Sequence, residues 1–296
     1  MSTPMNAECY LCHLKRSTDV ARALAGEKGA DIMAKELMQI YANAPDYYSS
    51  PLFEPAVTQI LQTHCGLKGD RFRAEKDESN QFALARLDAI RQRITAAPDP
   101  VYAALQMAVL GNYIDFSALR GEVSLEKLDK MLETAESLCL DTAVYQTLMG
   151  QLETASSLLY VTDNCGEIVF DRLCAETLRQ RFPNLSITFC VRGGNAANDA
   201  TRTDALAVGI DFPIIDNGMA VAGMPPELLQ GEAKQALETA DVILSKGQAN
   251  VETLFGCGYN IYYLFLIKCQ RFQTLFGKEK LTPMLLREQD TAPTQL

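Results

Sequence analysis

Tryptophan is missing from the 296 residues, and histidine is nearly so, with only His13 and His64 present. So few histidines nearly exclude a histidine-based catalytic triad or a multi-histidine metal site. Long apolar runs are also lacking. The most apolar stretch, Tyr259 to Cys269, is about half the length that spans a bilayer. The first twenty residues have no apolar secretion core and turn basic at Lys15 and Arg16. No period of 20 to 50 residues recurs, which excludes solenoids and propellers. G-x-x-x-x-G-K-[ST], a strand-to-helix G-x-G-x-x-G and a G-x-S-x-G elbow are all absent. An Asp-x-Asp phosphatase motif would need a second Asp where Cys165 stands.

Positive charge is in short supply. Lys and Arg number 27 against 37 Asp and Glu, a net charge of −10. That surface repels phosphate backbones, so no nucleic-acid partner is expected. An anionic ligand would need a local positive device such as a metal, a lysine or a helix N-terminus. The chain is 48% hydrophobic and 22% charged, so it can bury a core. Its length fits one large or two ordinary domains. Nine cysteines are an odd count in a chain with no secretion signal, which points to reduced thiols and a cytoplasmic, membrane-free protein.

Hydrophobic periodicity divides the chain near residue 155. From Cys12 to Thr154 apolar residues recur at helical spacing, as in Ile32, Met33, Leu37, Ile40 and Tyr41. Further stripes run over 56–61, 82–94, 101–110 and 125–138, punctuated by prolines and glycines. Beyond Thr154 short β-prone runs at 158–162, 185–191, 212–215, 242–244 and 260–267 alternate with helical stretches. Such alternation predicts right-handed crossovers and a mainly parallel, doubly wound, Rossmann-like three-layer α/β domain. The expected organisation is an all-helical domain over 1–154, an α/β domain over 155–287 and a fraying tail over 288–296.

Polar residues gather where these strands end, the place at which ligands bind in open parallel sheets. Asp163, Asn164 and Glu167 follow the first strand, Arg192, Asn198 and Asp199 the second, Asp216 and Asn217 the third, and Lys246 the fourth. Carboxylate and amide oxygens suit hard or borderline divalent cations. A metal flanked by an Arg and a Lys suits phosphoryl chemistry, whose developing negative charge must be neutralised. Asp and Asn at strand-to-helix turns also serve as helix caps and turn formers. Capping explains a single exit, but it calls for no Arg or Lys and weakens as an account of four.

Asp163-Asn164-Cys165-Gly166-Glu167 after a strand resembles the D-N-x-G-E motif of the metal-dependent damage-control phosphatases, long catalogued as domain of unknown function 89. Val191-Arg192-Gly193 running to Asn198-Asp199-Ala200, Ser245 to Asn250, and Gly111-Asn112-Tyr113-Ile114-Asp115 agree with it in order. Cys9-x-x-Cys12 resembles the small microbial and archaeal branch. Gly194-Asn195 departs from the Pro that members often carry after the glycine.

The resemblance implies a helical domain packed on an α/β domain. It implies one divalent metal (Mn, Co, Ni or Mg) held by Asp163, Asn164 and Asp199, and hydrolysis of sugar phosphates or related small phosphorylated metabolites. Lys246 would hold the phosphate with Arg192, Asn198 and Asn250 nearby, and Asn112 and Asp115 would close the site. Asp163 would act as nucleophile or orient a water. Glu167 would favour the dipole of the following helix or orient a metal ligand. Two other readings stand beside this one: a protein that binds a phosphometabolite through the metal without turnover, and a methyltransferase, for which the glycine-rich first turn is absent. Cys9-x-x-Cys12-His13 spells a haem-attachment string, or half of a structural metal site completed by His64 or Cys65, or a pair of ordinary thiols. Cys165 reads as a small filler. No signal addresses oligomeric state.

Overall fold

A computed structural model describes residues 3–115 and 123–291; the last five residues of the expected tail lie outside them. The chain opens with α1 (Ala7–Asn43), α2 (Glu54–His64), α3 (Arg73–Leu84), α4 (Leu87–Ala96), α5 (Pro100–Gly111), α6 (Leu125–Glu133) and α7 (Thr142–Leu152). Asn6 caps α1, its Oδ1 accepting the Cys9 N–H at 2.9 Å. The helix breaks at Ala25–Gly26, where Gly26 takes φ 65°. The stripe beyond that break buries Met33 and Leu37 against Val57, Ile60 and Leu61 of α2. The single helix expected over 82–94 divides at Ala85–Arg86 into α3 and α4. α5 is apolar all round and buried from Ala103 to Gly111, as expected of a helix enclosed on every side.

The second half alternates as the periodicity predicts. It contains β1 (Ser157–Val161), α8 (Glu167–Arg181), β2 (Ser186–Val191), α9 (Arg202–Ala207), β3 (Ile214–Asp216), α10 (Gly231–Thr239), β4 (Val242–Lys246), α11 (Gln248–Leu254), β5 (Ile261–Leu266), α12 (Gln270–Phe276) and β6 (Pro283–Arg287). One six-stranded sheet runs β3-β2-β1-β4-β5-β6, parallel except for β6. β4 and β5 are buried throughout, the near-continuous apolar pattern of strands covered on both faces. β1 pairs with β2 on one side and β4 on the other, so the winding direction reverses at β1 and opens a crevice at its carboxyl end.

Two expectations fail at the far edge. β6 has no counterpart in the sequence reading. It is an edge strand with one buried residue, Leu285, and a proline at its start, a position where the missing N–H does no harm. The tail does not fray from residue 288. The buried Glu288 side chain accepts the N–H groups of Gly256 and Gly258, each at 3.0 Å, and the Tyr263 hydroxyl, which fastens residue 288 to the sheet.

The helical half is not set apart from the sheet. α5 lies so close to α8 that a Cβ on Gly111 would stand 2.6 Å from the Phe170 ring. Lys246 at the end of β4 donates to the Ala108 carbonyl of α5. Asn112, just beyond α5, accepts the Leu266 N–H of β5 at 3.0 Å.

Candidate metal and phosphate site

The turn from β1 into α8 sets the site. Gly166 takes φ 79° there, and a Cβ on it would meet Ser79 and Ile114 within 2.8 Å, so only glycine fits. Its N–H is received by Asn80 Oδ1 at 2.6 Å. The turn then pairs backbone to backbone with the segment after β2. Cys165 N–H donates to Asn198 O at 2.9 Å, and Ala200 N–H donates to Asp163 O at 2.8 Å. This antiparallel bridge sets Asn164 against Asp199, thirty-five residues apart in the chain.

A hydrogen-bond network then fixes the side chains. Asn164 Nδ2 donates to Asp163 Oδ2 at 2.7 Å and to Glu167 Oε2 at 2.9 Å. Asn112 Nδ2 reaches the same two oxygens, each at 2.9 Å. Arg192 Nε donates to Asp199 Oδ2 at 2.6 Å, with its Nη2 3.5 Å from Asp163 Oδ1. Lys246 Nζ donates to Glu167 Oε1 at 2.7 Å and Asp171 Oδ1 at 2.6 Å. Gly247 leaves room for this arrangement, since a Cβ on it would fall 1.9 Å from Asp163 Oδ2.

Beside this network opens a cavity of about 200 Å³. Of the candidate residues, Asp115, Asp163, Asn164 and Asp199 line it, while Asn112, Glu167, Arg192, Asn198, Lys246 and Asn250 stand behind them. That separation corrects the role expected of Lys246. Its ammonium is wholly buried and already donates to Glu167, Asp171 and the Ala108 carbonyl, which uses all three of its N–H groups and leaves none for a phosphate. Asn250 likewise donates inward, to the Thr162 and Lys246 carbonyls. Asn198 donates to the Ile114 carbonyl at 3.1 Å.

The third strand exit follows the capping account. Asn217 Oδ1 accepts the Gly193 and Met219 N–H groups, and Asp216 pairs with Arg202 at 3.2 Å. Cys165 is buried with its sulfur against the Asp199 carbonyl, as a filler would be. Among the described residues no three His, Cys, Asp or Glu side chains converge to hold a metal. The expected completion of a metal site on Cys9 and Cys12 by His64 or Cys65 is not formed among them. His64 pairs instead with Glu36 at 3.0 Å, and Cys65 packs in the α1–α2 core.

Sequence reasoning overlooked Lys268, one residue past the expected fifth strand. It is buried, and its Nζ donates to Asp115 Oδ2 at 2.7 Å. Burial alone would lower its pKa, but Asp115, Asp163 and Glu167 raise it. The signal was available, because Lys268 follows β5 as Lys246 ends β4. Asp171 was also overlooked, as was Arg16 of α1, and Cys9, Cys12 and His13 were not expected to line this cavity beside it. Only the fold brings those to the strand ends.

Electrostatically the network is overloaded. Asp163, Glu167, Asp171 and Asp199 are four carboxylates against two cations, Arg192 and Lys246; Lys268 is matched by Asp115. Burial, and then Asp199 and Glu167, push the Asp163 carboxyl well above its usual range. Burial raises Asp199 to about 6 despite Arg192. Burial likewise raises Asp171 to about 7 despite Lys246.

A family model for the damage-control phosphatase ARMT1-like domain matches residues 5–282. The chain belongs to that family. It is 32% identical to a damage-control phosphatase of Pyrococcus horikoshii over 204 residues, 68% of each chain. It is 30% identical to one of Archaeoglobus fulgidus over 236 residues, 77% of this chain and 80% of the relative. An uncharacterized Methanocaldococcus jannaschii protein is 27% identical over 282 residues, 91% of this chain and 90% of that one. The crystal structure of a Pyrococcus horikoshii protein of the same family superposes with a TM-score of 0.78 at 25% identity, covering 97% of this chain and 99% of that one. Phosphatase-type chemistry is what these named relatives support for this member. Among its described residues no helix is long and apolar enough to cross a membrane.

Proposed function

We propose that this member of the family hydrolyses small phosphorylated metabolites, sugar phosphates or related phosphate monoesters, with one divalent cation held by Asp163, Asn164 and Asp199. The observation that carries the reading is the charge of the hydrogen-bonded network. Ionised throughout, it holds two negative charges more than its cations neutralise, the charge of one divalent ion. The donor set fits such an ion: two carboxylates and an amide, all oxygen ligands, suit Mn²⁺, Mg²⁺, Co²⁺ or Ni²⁺. Asn164 Nδ2 and Asp199 Oδ2 are engaged with neighbours, so Asn164 Oδ1 and Asp199 Oδ1 are the atoms left for a cation.

A bound cation would supply electrophilic stabilisation of the phosphoryl oxygens. The chain's own residues do the rest. Asp163, lining the cavity, attacks phosphorus or orients the attacking water. Arg192 holds Asp199 from behind the lining residues and brings Nη2 to 3.5 Å from Asp163 Oδ1, so its charge steadies both carboxylates. Asp115, which lines the cavity, holds the buried Lys268 behind it, whose ammonium offsets negative charge arriving with the phosphate.

Phosphate release from sugar phosphates, nucleotides and an aryl phosphate tests the reading, using chelator-stripped protein resupplied with one metal at a time. Metal-dependent release that Asp163→Asn lowers about a thousand-fold is expected. Near-normal release by that variant would sink the assignment. No release from protein that still binds the cation and inorganic phosphate would favour a binding protein without turnover.

A further inference from the structure

Behind the cavity lies a chain of buried contacts with no direct part in the proposed reaction. Glu167 and Asp171 stand four residues apart on one face of α8, where two like charges ordinarily repel. Lys246 sits between them, 2.7 Å from Glu167 Oε1 and 2.6 Å from Asp171 Oδ1. The Tyr160 hydroxyl donates to the same Asp171 oxygen at 2.9 Å, while Asp171 Oδ2 has no partner among the described residues. On its other side Glu167 Oε2 receives three N–H groups: Asn112 Nδ2, Asn164 Nδ2 and, at 3.3 Å, the Asn164 backbone.

We infer that Asp171, Lys246 and Glu167 form an orienting chain that decides which end of the Asn164 amide is offered to a cation. The inference rests on the metal-dependent reading above. An amide can present either its oxygen or its NH₂ group, and only the oxygen can bind a cation. With Glu167 Oε2 and Asp163 Oδ2 both accepting from Asn164 Nδ2, a flipped amide would set its oxygen against two carboxylate oxygens. The NH₂ end is therefore held inward and Oδ1 is left for the ion. Lys246 holds Glu167 in that position, and Asp171 with Tyr160 and the Ala108 carbonyl holds Lys246. Lys246 and Asp171 are positioning residues here. Partners that orient metal ligands in this way typically change metal affinity 10- to 100-fold when altered.

Mn²⁺ affinity, measured calorimetrically on the full chain with the fold checked by circular dichroism, tests the inference. Glu167→Gln, which keeps the shape but lets the amide flip, is expected to weaken Mn²⁺ binding by at least about ten-fold. Asp171→Asn is expected to weaken it about three- to ten-fold, since Lys246 keeps two of its acceptors. In both variants excess Mn²⁺ should restore phosphate release, with KM for the phosphate ester unchanged. Should Lys246→Met fail to fold, these two isosteric changes and Tyr160→Phe carry the test. Folded Glu167→Gln and Asp171→Asn proteins that bind Mn²⁺ within two-fold of the unaltered protein would overturn the inference and leave the metal reading standing. So would lost activity that saturating Mn²⁺ cannot restore. Failure of the unaltered protein to bind any divalent cation would remove both.

Discussion

Two buried charge clusters line the same cavity, and they are balanced in opposite ways. On the helical side Glu54 faces two arginines, Arg16 at 2.9 Å and Arg71 at 3.3 Å, with His13 Nε2 at 3.8 Å. On the strand side Asp163 shares one arginine with Asp199 and stands next to Glu167. Burial pushes both carboxyls upward. For Glu54, Arg16 and Arg71 outweigh it and hold the group below its usual range; for Asp163 the neighbouring carboxylates add to it. Equal burial with opposite outcomes shows that the sign of the neighbours decides. A carboxylate outnumbered by arginines of its own chain is a fastening. A cluster left two charges in excess is where the proposed cation would sit.

The largest effect expected falls on the strand side. Gly247→Ala would drive a methyl group into Asp163 at a φ of 80°, whereas Gly26→Ala in α1 has the same handedness at φ 65° with nothing within 4 Å. Mn²⁺ binding should be lost in the first and kept in the second. The melting temperature should fall by about 6 °C or more in the first and by about half that in the second. Equal losses would mean that backbone strain alone, not the fit around Asp163, requires glycine at 247.

Glu54→Gln should come next. It leaves two buried arginines without their anion, a loss of about 3 kcal/mol or some 6 to 12 °C in melting temperature. Added Mn²⁺ should not reverse the loss, because that cluster has no use for a cation. Recovery with metal would merge two regions that the present account separates.

Smallest is the dependence of metal-free stability on pH, whose sign differs between the clusters. Asp199, at about 6, and Asp171, at about 7, hold protons in the folded chain that the unfolded chain releases near 4. Their contribution is favourable at acid pH and fades as pH rises from about 4 to about 7. Burial and then Arg16 lower His13 to about 4, so the unfolded chain takes up its proton first. Stability is then lost as pH falls from about 6.5 to about 4. Asp199→Asn should flatten the neutral side of the stability profile and His13→Asn the acid side, each by about 1 to 3 kcal/mol. Chemical denaturation of chelator-treated protein across that range would detect either, and the same slope in both variants would contradict the assignment.

Much of the fold was legible because helical and strand periods differ, and β1, β2, β4 and β5 were found within a residue or two. β6 was not, since an edge strand with one buried residue has little alternation. Glu288 looked like the start of a polar tail because its partners, Tyr263 and two glycine N–H groups, lie some thirty residues away. At the site, residue types and spacing put polar side chains at the strand ends, and the family resemblance drew Asp163, Asn164 and Asp199 together. Type could not say which way a lysine points. Lys246 and Lys268 leave neighbouring strands, yet the first turns inward to Glu167 and Asp171 and the second to Asp115 at the cavity. The helical wall of the cavity was illegible because it depends on how α1 docks, not on any local pattern.

The most direct test of the central claim is the stoichiometry of Mn²⁺ binding near neutral pH, by equilibrium dialysis of stripped protein against its Asp199→Asn variant. One ion per chain, lost when Asp199 is neutralised, is the expected result. Binding that survives the substitution, or none by the unaltered chain, would contradict the assignment of the excess charge to a cation.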